Sequence, residues 1–511
     1  MNARFGAVAA IRAALLMTGS TYIVFAIGLV VNALIARHLG PRDYGHYAYV
    51  VWLVGVLTIV ANHGLTTTGI RFVAEALGQA RDADPIQRWL ARWQWFSLVV
   101  VLGAFLLGYR ALLPADGVDT LWVFLVVVAV ATFSKAMFLF DISIGKGHGR
   151  FTIEAYSTLA VSVANAVCVL AFWWFGGSLD AFLWLFVAAS IAYQVVAAWL
   201  LRRATGAPGP APLETDLLAR MRPHLMWTIV LSLVAAFSNA SAEIYLLNRL
   251  VGPVEVGYFV IAVSLTRGAI DMVASGLTSV LMPVMSHAFG SGGRDRVDAI
   301  LSDSLRYFQF LGLLAAGVGA FWAESVVRLV YGSDYAAVTT ILQWMLVAKG
   351  ATLGEAAFGA LLSTTDNQRL RAMFSAGTLV ASLLLAVLLV PAYGLIGALA
   401  AYVASRVVLY VAGLGLLVRM LGMRLPLREL GGLSVAALLA AAGAMLPLWW
   451  FGAGAGLAAG VVFGLLFLIA ARYLGGWKLG DVSKAADFGD QYPRALGWCR
   501  GYLTRWRARL S

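Results

Sequence analysis

Fourteen windows of roughly 20 mostly apolar residues recur along the chain, each long enough to cross the ~30 Å hydrocarbon layer of a bilayer. They lie near 13–36, 45–66, 93–113, 119–140, 156–175, 181–201, 225–248, 254–286, 307–331, 336–362, 372–391, 394–418, 430–451 and 455–475. Soluble chains are about 45–50% apolar and about 25% charged. These 511 residues are 61% hydrophobic and 12% charged, more apolar surface than a water-facing exterior can hide. The windows therefore read as membrane spans, and the fold as all-α, because a helix pairs its own backbone polar groups in lipid. The first window follows Arg4 and Arg12, is too long for a signal-peptide core and lacks a clear cleavage site, so it reads as an uncleaved span.

Charge placement sets the topology. With the N-terminus inside, five of the 37 Lys and Arg fall in outer loops (Arg37, Arg42, Arg110, Arg249 and Arg328). Four more, Lys135, Arg267, Lys349 and Arg406, fall within spans, which leaves 28 on the cytoplasmic side. That asymmetry is the positive-inside pattern for fourteen spans with both termini cytoplasmic. The net charge of +12 thus speaks for membrane topology and not for a nucleic-acid partner. Cys168 within a span and Cys499 in the tail form no disulfide framework.

The stretch "ARHLGPRDYG" (36–45) returns as "NRLVGPVEVG" (248–257). Arg37, Gly40, Pro41, Asp43 and Gly45 reappear 212 residues later as Arg249, Gly252, Pro253, Glu255 and Gly257. The two turns join spans 1–2 and 7–8. Six spans separate them, so both copies cross in the same sense. The expected arrangement is two six-helix bundles related by a pseudo-two-fold axis along the membrane normal. The expected organisation is an N-terminal bundle (1–201), a cytoplasmic linker (202–224), a C-terminal bundle (225–418), two extra spans (430–475) and a basic cytoplasmic tail (476–511). Within each turn, Pro suits a first helical position and the acid suits a helix N-terminus. Gly40, Pro41, Gly45, Gly252, Pro253 and Gly257 accordingly read as a structural, well-capped outer hairpin with no ligand role. Gly452, Gly456 and Gly460, spaced by four between spans 13 and 14, allow close helix packing, within the chain in preference to a dimer seam.

The pattern "RHLGPRDYGHYA", followed by "GLTTTGIRFVAEALG", resembles the polysaccharide-transporter branch of the multidrug/oligosaccharidyl-lipid/polysaccharide (MOP) exporters, the O-antigen or Wzx-type flippases. Further matches are "VGYFVIAVSL" (256–265), Pro283, "LVYGSDYAAV" (329–338) and "VPAYGLIGALAAYVASR" (390–406). The resemblance implies a MATE-like fold in the bacterial cytoplasmic membrane. It also implies transfer of undecaprenyl-diphosphate-linked oligosaccharide from the inner to the outer leaflet by alternating access, for O-antigen, capsule or exopolysaccharide export. Membrane lipids, H+ or Na+ as coupling ion, and polymerase or export proteins are the partners such a role brings. Many members carry Asp in span 7 where this chain has Glu243.

An ionisable residue at mid-membrane costs at least ~2.5–3.5 kcal/mol by insertion scales, so it faces a cavity or a partner. Arg267, Lys349 and Arg406 share a similar depth and read as a cationic zone for a diphosphate, with Lys135 deeper toward the cytoplasm. A structural ion pair is the competing account. Arg267 and Asp271 lie one helical turn apart and fit mutual neutralisation; Lys349 and Glu355, six apart, fit it less well. For Lys135, snorkelling to the interface competes equally. Glu243 is open to ion coupling or to a local bridge with Arg249. Arg71 sits at the cytoplasmic mouth, as a phosphate guide or, preferably, as a positive-inside anchor.

Catalysis is not expected. The loop "GKGHGR" (145–150) lacks the full phosphate-binding pattern of an ATPase, so no cofactor or nucleotide is implied. The six histidines form no metal-binding spacing, and the outer loops are too short to present a glycosyltransferase or polymerase site. A peptidoglycan-precursor flippase and a cation-coupled drug antiporter of the same superfamily stand as alternatives.

Overall fold

The computed structural model describes residues 7–114, 120–206, 209, 214–238, 241–364 and 368–474. Expectations placed on the 476–511 tail lie outside the described residues. Every regular element among the described residues is helical. Helix α1 (Ala7–Asn62) carries the first two windows and breaks at Gly40, whose φ of 73° and ψ of 173° are not helical. A short α2 (Leu65–Gly78) follows, then α3 (Asp84–Leu112), α4 (Leu121–Gly147), α5 (Thr152–Phe175) and α6 (Leu179–Thr205), one window each.

The second half is less regular. Window 7 is described as α7 (Thr215–Ser238) and α8 (Ser241–Leu250), with residues 239 and 240 outside the described residues. Window 8 begins as α9 (Pro253–Thr266) and widens into a π-turn, Arg267–Asp271, before α10 (Met272–Val330). Window 10 is α11 (Val338–Ala351), a 3-10 turn at Leu353–Glu355, and α12 (Ala356–Thr364). Helix α13 (Gln368–Leu421) carries windows 11 and 12 and kinks at Gly394, φ 56°. The last two windows are α14 (Leu427–Phe451) and α15 (Gly456–Tyr473). Among the described residues ten segments are long and apolar enough to span a membrane, and two of them, 16–62 and 373–419, are 47 residues long and hold two windows each. Windows 7 and 10 are the ones those ten do not include.

Two compact units emerge, and neither follows chain order. The first comprises Met1–Ser264, Val327–Ile341 and Ala372–Ser405; the second comprises Leu265–Val326, Leu342–Arg371 and Arg406–Ser511. Much large apolar surface is exposed, Leu107, Trp174, Phe175, Trp449 and Phe451 among it. That is expected where lipid replaces water and apolar burial no longer drives helices together. Small residues take over that task. In the second unit Gly312 of α10 and Gly350 of α11 lie backbone to backbone, each so close that an added Cβ would overlap the other's carbonyl oxygen. Gly456 and Gly460 of α15 likewise back onto α10, at Phe321 O and the Trp322 ring, so this seam packs within the chain. Trp322 donates its indole N–H to Leu457 O at 3.0 Å. Buried Gln309 of α10 fixes α14 by donating to Leu430 O at 3.1 Å and Ser434 Oγ at 2.9 Å.

Candidate functional site

The two repeated turns meet each other in the first unit. A Cβ on Gly45 would overlap the backbone carbonyl of Pro253. A Cβ on Gly257 would come within 3.2 Å of Pro41 O and 3.3 Å of the Gly45 Cα. Because 253 and 257 are the repeats of 41 and 45, the pair 45–253 maps onto the pair 257–41. The contact is reciprocal, as a two-fold relation between the turns requires.

Tyrosines surround this contact. Tyr44 donates to Asn32 Oδ1 at 2.6 Å, and its ring stands edge-on to Tyr335 at 6.1 Å. Tyr335 donates to Ala36 O at 2.6 Å, and Tyr258 donates to Asp334 O at 3.1 Å. Arg37, the first residue of the repeated motif, donates to Leu329 O at 2.6 Å. The stretch "LVYGSDYAAV" is thus tied to both turns. The sequence showed the duplication but carried no signal that its copies touch. The aromatic partner Tyr335 also went unnoticed.

A ladder of polar pairs joins α2 and the residues just beyond it to the start of α7. Arg71 donates from Nη1 to His224 Nδ1 at 3.0 Å, Glu75 pairs with Arg220 at 2.6 Å, and Arg81 pairs with Glu214 at 3.1 Å. As numbers rise on α2 they fall on α7, so the helices run antiparallel. Arg71 therefore has a definite partner in His224. His224 lies just ahead of window 7, and burial, with the Arg71 guanidinium adding to it, holds its pKa below the ordinary histidine value. Accepting from Arg71 requires an unprotonated Nδ1. Between the depressed folded pKa and the ordinary value near 6.5, the unfolded chain binds more protons, so stability falls as pH drops through that window. A melting curve in nanodiscs should show this acid loss, and His224→Gln should flatten it; an unchanged pH profile in the variant would dismiss the linkage.

The intramembrane charges separate into groups. Lys135, on α4, belongs to the first unit, and its ammonium lies 4.3 Å over the Phe186 ring. It borders a cavity of ≈ 150 Å³ lined also by Tyr47, Asn165 and Tyr193. Glu243 opens α8 in the same unit, is buried, and accepts from Ser382 Oγ at 3.4 Å. A larger cavity, ≈ 580 Å³, in the same unit is lined by Arg42, Asp43 and Asp180 among others.

The second unit pairs two of the expected residues, Asp271 and Lys349, and places Arg267 in the same π-turn as Asp271. Arg267 opens the π-turn, where the Met272 N–H reaches back to Arg267 O across five residues instead of four. Asp271 closes it. The Asp271 carboxylate pairs with Lys349 Nζ at 3.1 Å, not with Arg267. Arg267 is exposed, and no ion pair or side-chain hydrogen bond joins it to another described residue. Lys349 is held by the Gly312–Gly350 approach next to it and sits in the last turn of α11, just before that helix breaks. Glu355 ends the 3-10 turn beyond the break. Arg406 is half-buried on α13, one turn before Tyr410, whose ring stacks on Phe358 at 5.8 Å.

Arg267, Asp271, Lys349 and Glu355 thus all stand at interruptions of regular helix. Such interruptions within a membrane occur where backbone lines a cavity, and they frequently mark ion or substrate sites. Gly350 and Gly354 could have flagged the break in window 10. The π-turn has no composition cue.

These features define a multi-pass, all-helical membrane protein built like the MOP exporters. It superposes on the lipid II flippase MurJ in an inward closed conformation with a TM-score of 0.69, over 90% of this chain and 98% of that one, at 11% identity. Against an inward-facing MATE family multidrug resistance transporter of the MOP superfamily the TM-score is 0.62, over 77% and 92%, at 13% identity. Residues 10–289, more than half of the chain, match the family described as "Polysaccharide biosynthesis protein", and the chain belongs to that family. The uncharacterized proteins Rv3630 of Mycobacterium tuberculosis (strain ATCC 25618 / H37Rv) and Mb3654 of Mycobacterium bovis (strain ATCC BAA-935 / AF2122/97) are each 24% identical over 339 residues, 63% of this chain and 73% of theirs.

Proposed function

We propose that the protein is a flippase carrying undecaprenyl-diphosphate-linked oligosaccharide from the inner to the outer leaflet of the bacterial cytoplasmic membrane, for O-antigen, capsule or exopolysaccharide export. Both termini are cytoplasmic in this reading, the two six-span halves act by alternating access, and a H+ or Na+ gradient drives the cycle. No catalytic step is required of the chain. The observation that carries the proposal is the Arg267–Asp271–Lys349 cluster, a net single positive charge at membrane depth on irregular backbone, with one guanidinium exposed. Arginine binds phosphate bidentately and lysine binds it as a point charge, so together they suit a diphosphate. Arg406 belongs to the same unit, and Lys135 and Arg71, which belong to the other unit, are further candidates for contact with the headgroup.

Membership of the polysaccharide biosynthesis family favours a glycan-bearing lipid over a drug. The MurJ-like fold fits a lipid-linked cargo as well, and a peptidoglycan precursor shares the same diphosphate chemistry. The test is reconstitution in proteoliposomes, following translocation of a fluorescent undecaprenyl-diphosphate oligosaccharide, with a peptidoglycan-precursor lipid and a cationic dye alongside. Transfer of the oligosaccharide lipid in preference to the other two is expected. Exchange of the dye for H+ or Na+ with no lipid transfer would make the protein an antiporter.

A further inference from the structure

We infer that Asp271 is a resident counter-ion that the diphosphate displaces from Lys349, and that its return to Lys349 expels the headgroup. This rests on the flippase reading above and adds to it the step by which a tightly bound anion is released. The carboxylate is the more exposed partner of the pair, 40% against 19% for the lysine. The two partners also differ in how firmly they are held. Lys349 stands beside the backbone contact of Gly350 with Gly312, where no room exists for α11 to shift. Asp271 closes a π-turn, a widened ring that reverts to α-geometry by a one-residue shift of its hydrogen bonds. When an anion arrives, the carboxylate is the group that yields.

Arg267 completes the exchange. It opens the same turn, is exposed, and has no described partner, so it offers the phosphate its first contact four residues from Asp271. A lysine inside a membrane is costly without an anion beside it. The resident carboxylate fills that place while the carrier is empty, and the diphosphate fills it while the carrier is loaded. Lys349 is compensated throughout, and the two anions compete for it.

Competition gives a sign opposite to that of a purely structural ion pair. With undecaprenyl diphosphate itself as probe and the protein in nanodiscs, Asp271→Asn is expected to bind at least tenfold more tightly than wild type, to release more slowly and to transport less. If Lys349 were only a neutralised structural residue, Asp271→Asn would bind the probe no better than wild type, and that result overturns the inference. The double variant Asp271→Asn with Lys349→Gln removes both charges and strands neither, so it stays measurable even where the single variant fails to fold. Displacement predicts that the double variant binds the probe at least tenfold more weakly than wild type. Wild-type affinity in the double variant overturns displacement and leaves the flippase reading standing. Failure of the wild-type protein to bind undecaprenyl diphosphate at all overturns both.

Discussion

Gly45→Ala should open the outer closure of the first unit and reduce transport at least tenfold. The obstacle is a backbone carbonyl, Pro253 O, so no side-chain rotation relieves the overlap and one of the two turns must withdraw. Overpacking of this kind costs about 1–3 kcal/mol, enough to shift a closed-to-open ratio by about 5- to 150-fold. Ala48, one turn further along α1, is 4% exposed and reports the change. Carried as Ala48→Cys with Cys168→Ser and Cys499→Ser, it should react slowly with a membrane-impermeant maleimide added outside, and at least tenfold faster once Gly45→Ala is present. The reciprocal substitution, Gly257→Ala, meets its neighbours at 3.2–3.3 Å and should be milder. Equal effects at the two positions, or none at Gly45, would mean that the turns do not hold the outer side shut.

Arg267→Ala should weaken binding of undecaprenyl diphosphate by about 10- to 150-fold, since hydrogen bonds to charged groups contribute about 1.5–3 kcal/mol. Lys349→Ala should cost less binding, because part of the lysine's interaction is already taken by Asp271. Arg267→Lys should recover part of the loss, as a point charge replacing a fork. Isothermal titration of the solubilised protein with the lipid would rank the three. Unchanged affinity in Arg267→Ala would remove this residue from the headgroup site.

Much of the architecture was legible because lipid leaves the backbone little choice. Each span must be a helix and each helix must reach across, so hydropathy alone located most of the spans. The repeat at Gly40–Gly45 and Gly252–Gly257 was legible for another reason: a Gly-Pro turn tolerates few substitutes, so its copies stayed alike. What escaped was set by tertiary contact. Helical spacing pairs Arg267 with Asp271, yet the π-turn and the close packing of α11 deliver Asp271 to Lys349 instead. The ladder between α2 and α7 joins residues more than 130 positions apart, such as Arg81 and Glu214, and no local pattern announces it. Gln309 was equally silent, because one polar residue in an apolar helix has no partner until α14 is beside it.

The reciprocal contact of the two turns has the form of an isologous dimer interface, in which residue i touches j while j touches i. In a homodimer every substitution at such a seam strikes twice, so the seam can change only in ways that suit both sides at once. Joining the protomers into one chain lifts that constraint. The copies here have already used the freedom: Tyr44, which anchors Asn32 and faces Tyr335, has Val256 as its counterpart, and Asp43 has Glu255. A lone copy of the first half should retain the older habit. Released from its partner half, the Gly40–Gly45 turn presents a surface built to fit its own likeness, and two such halves have a ready seam along which to pair.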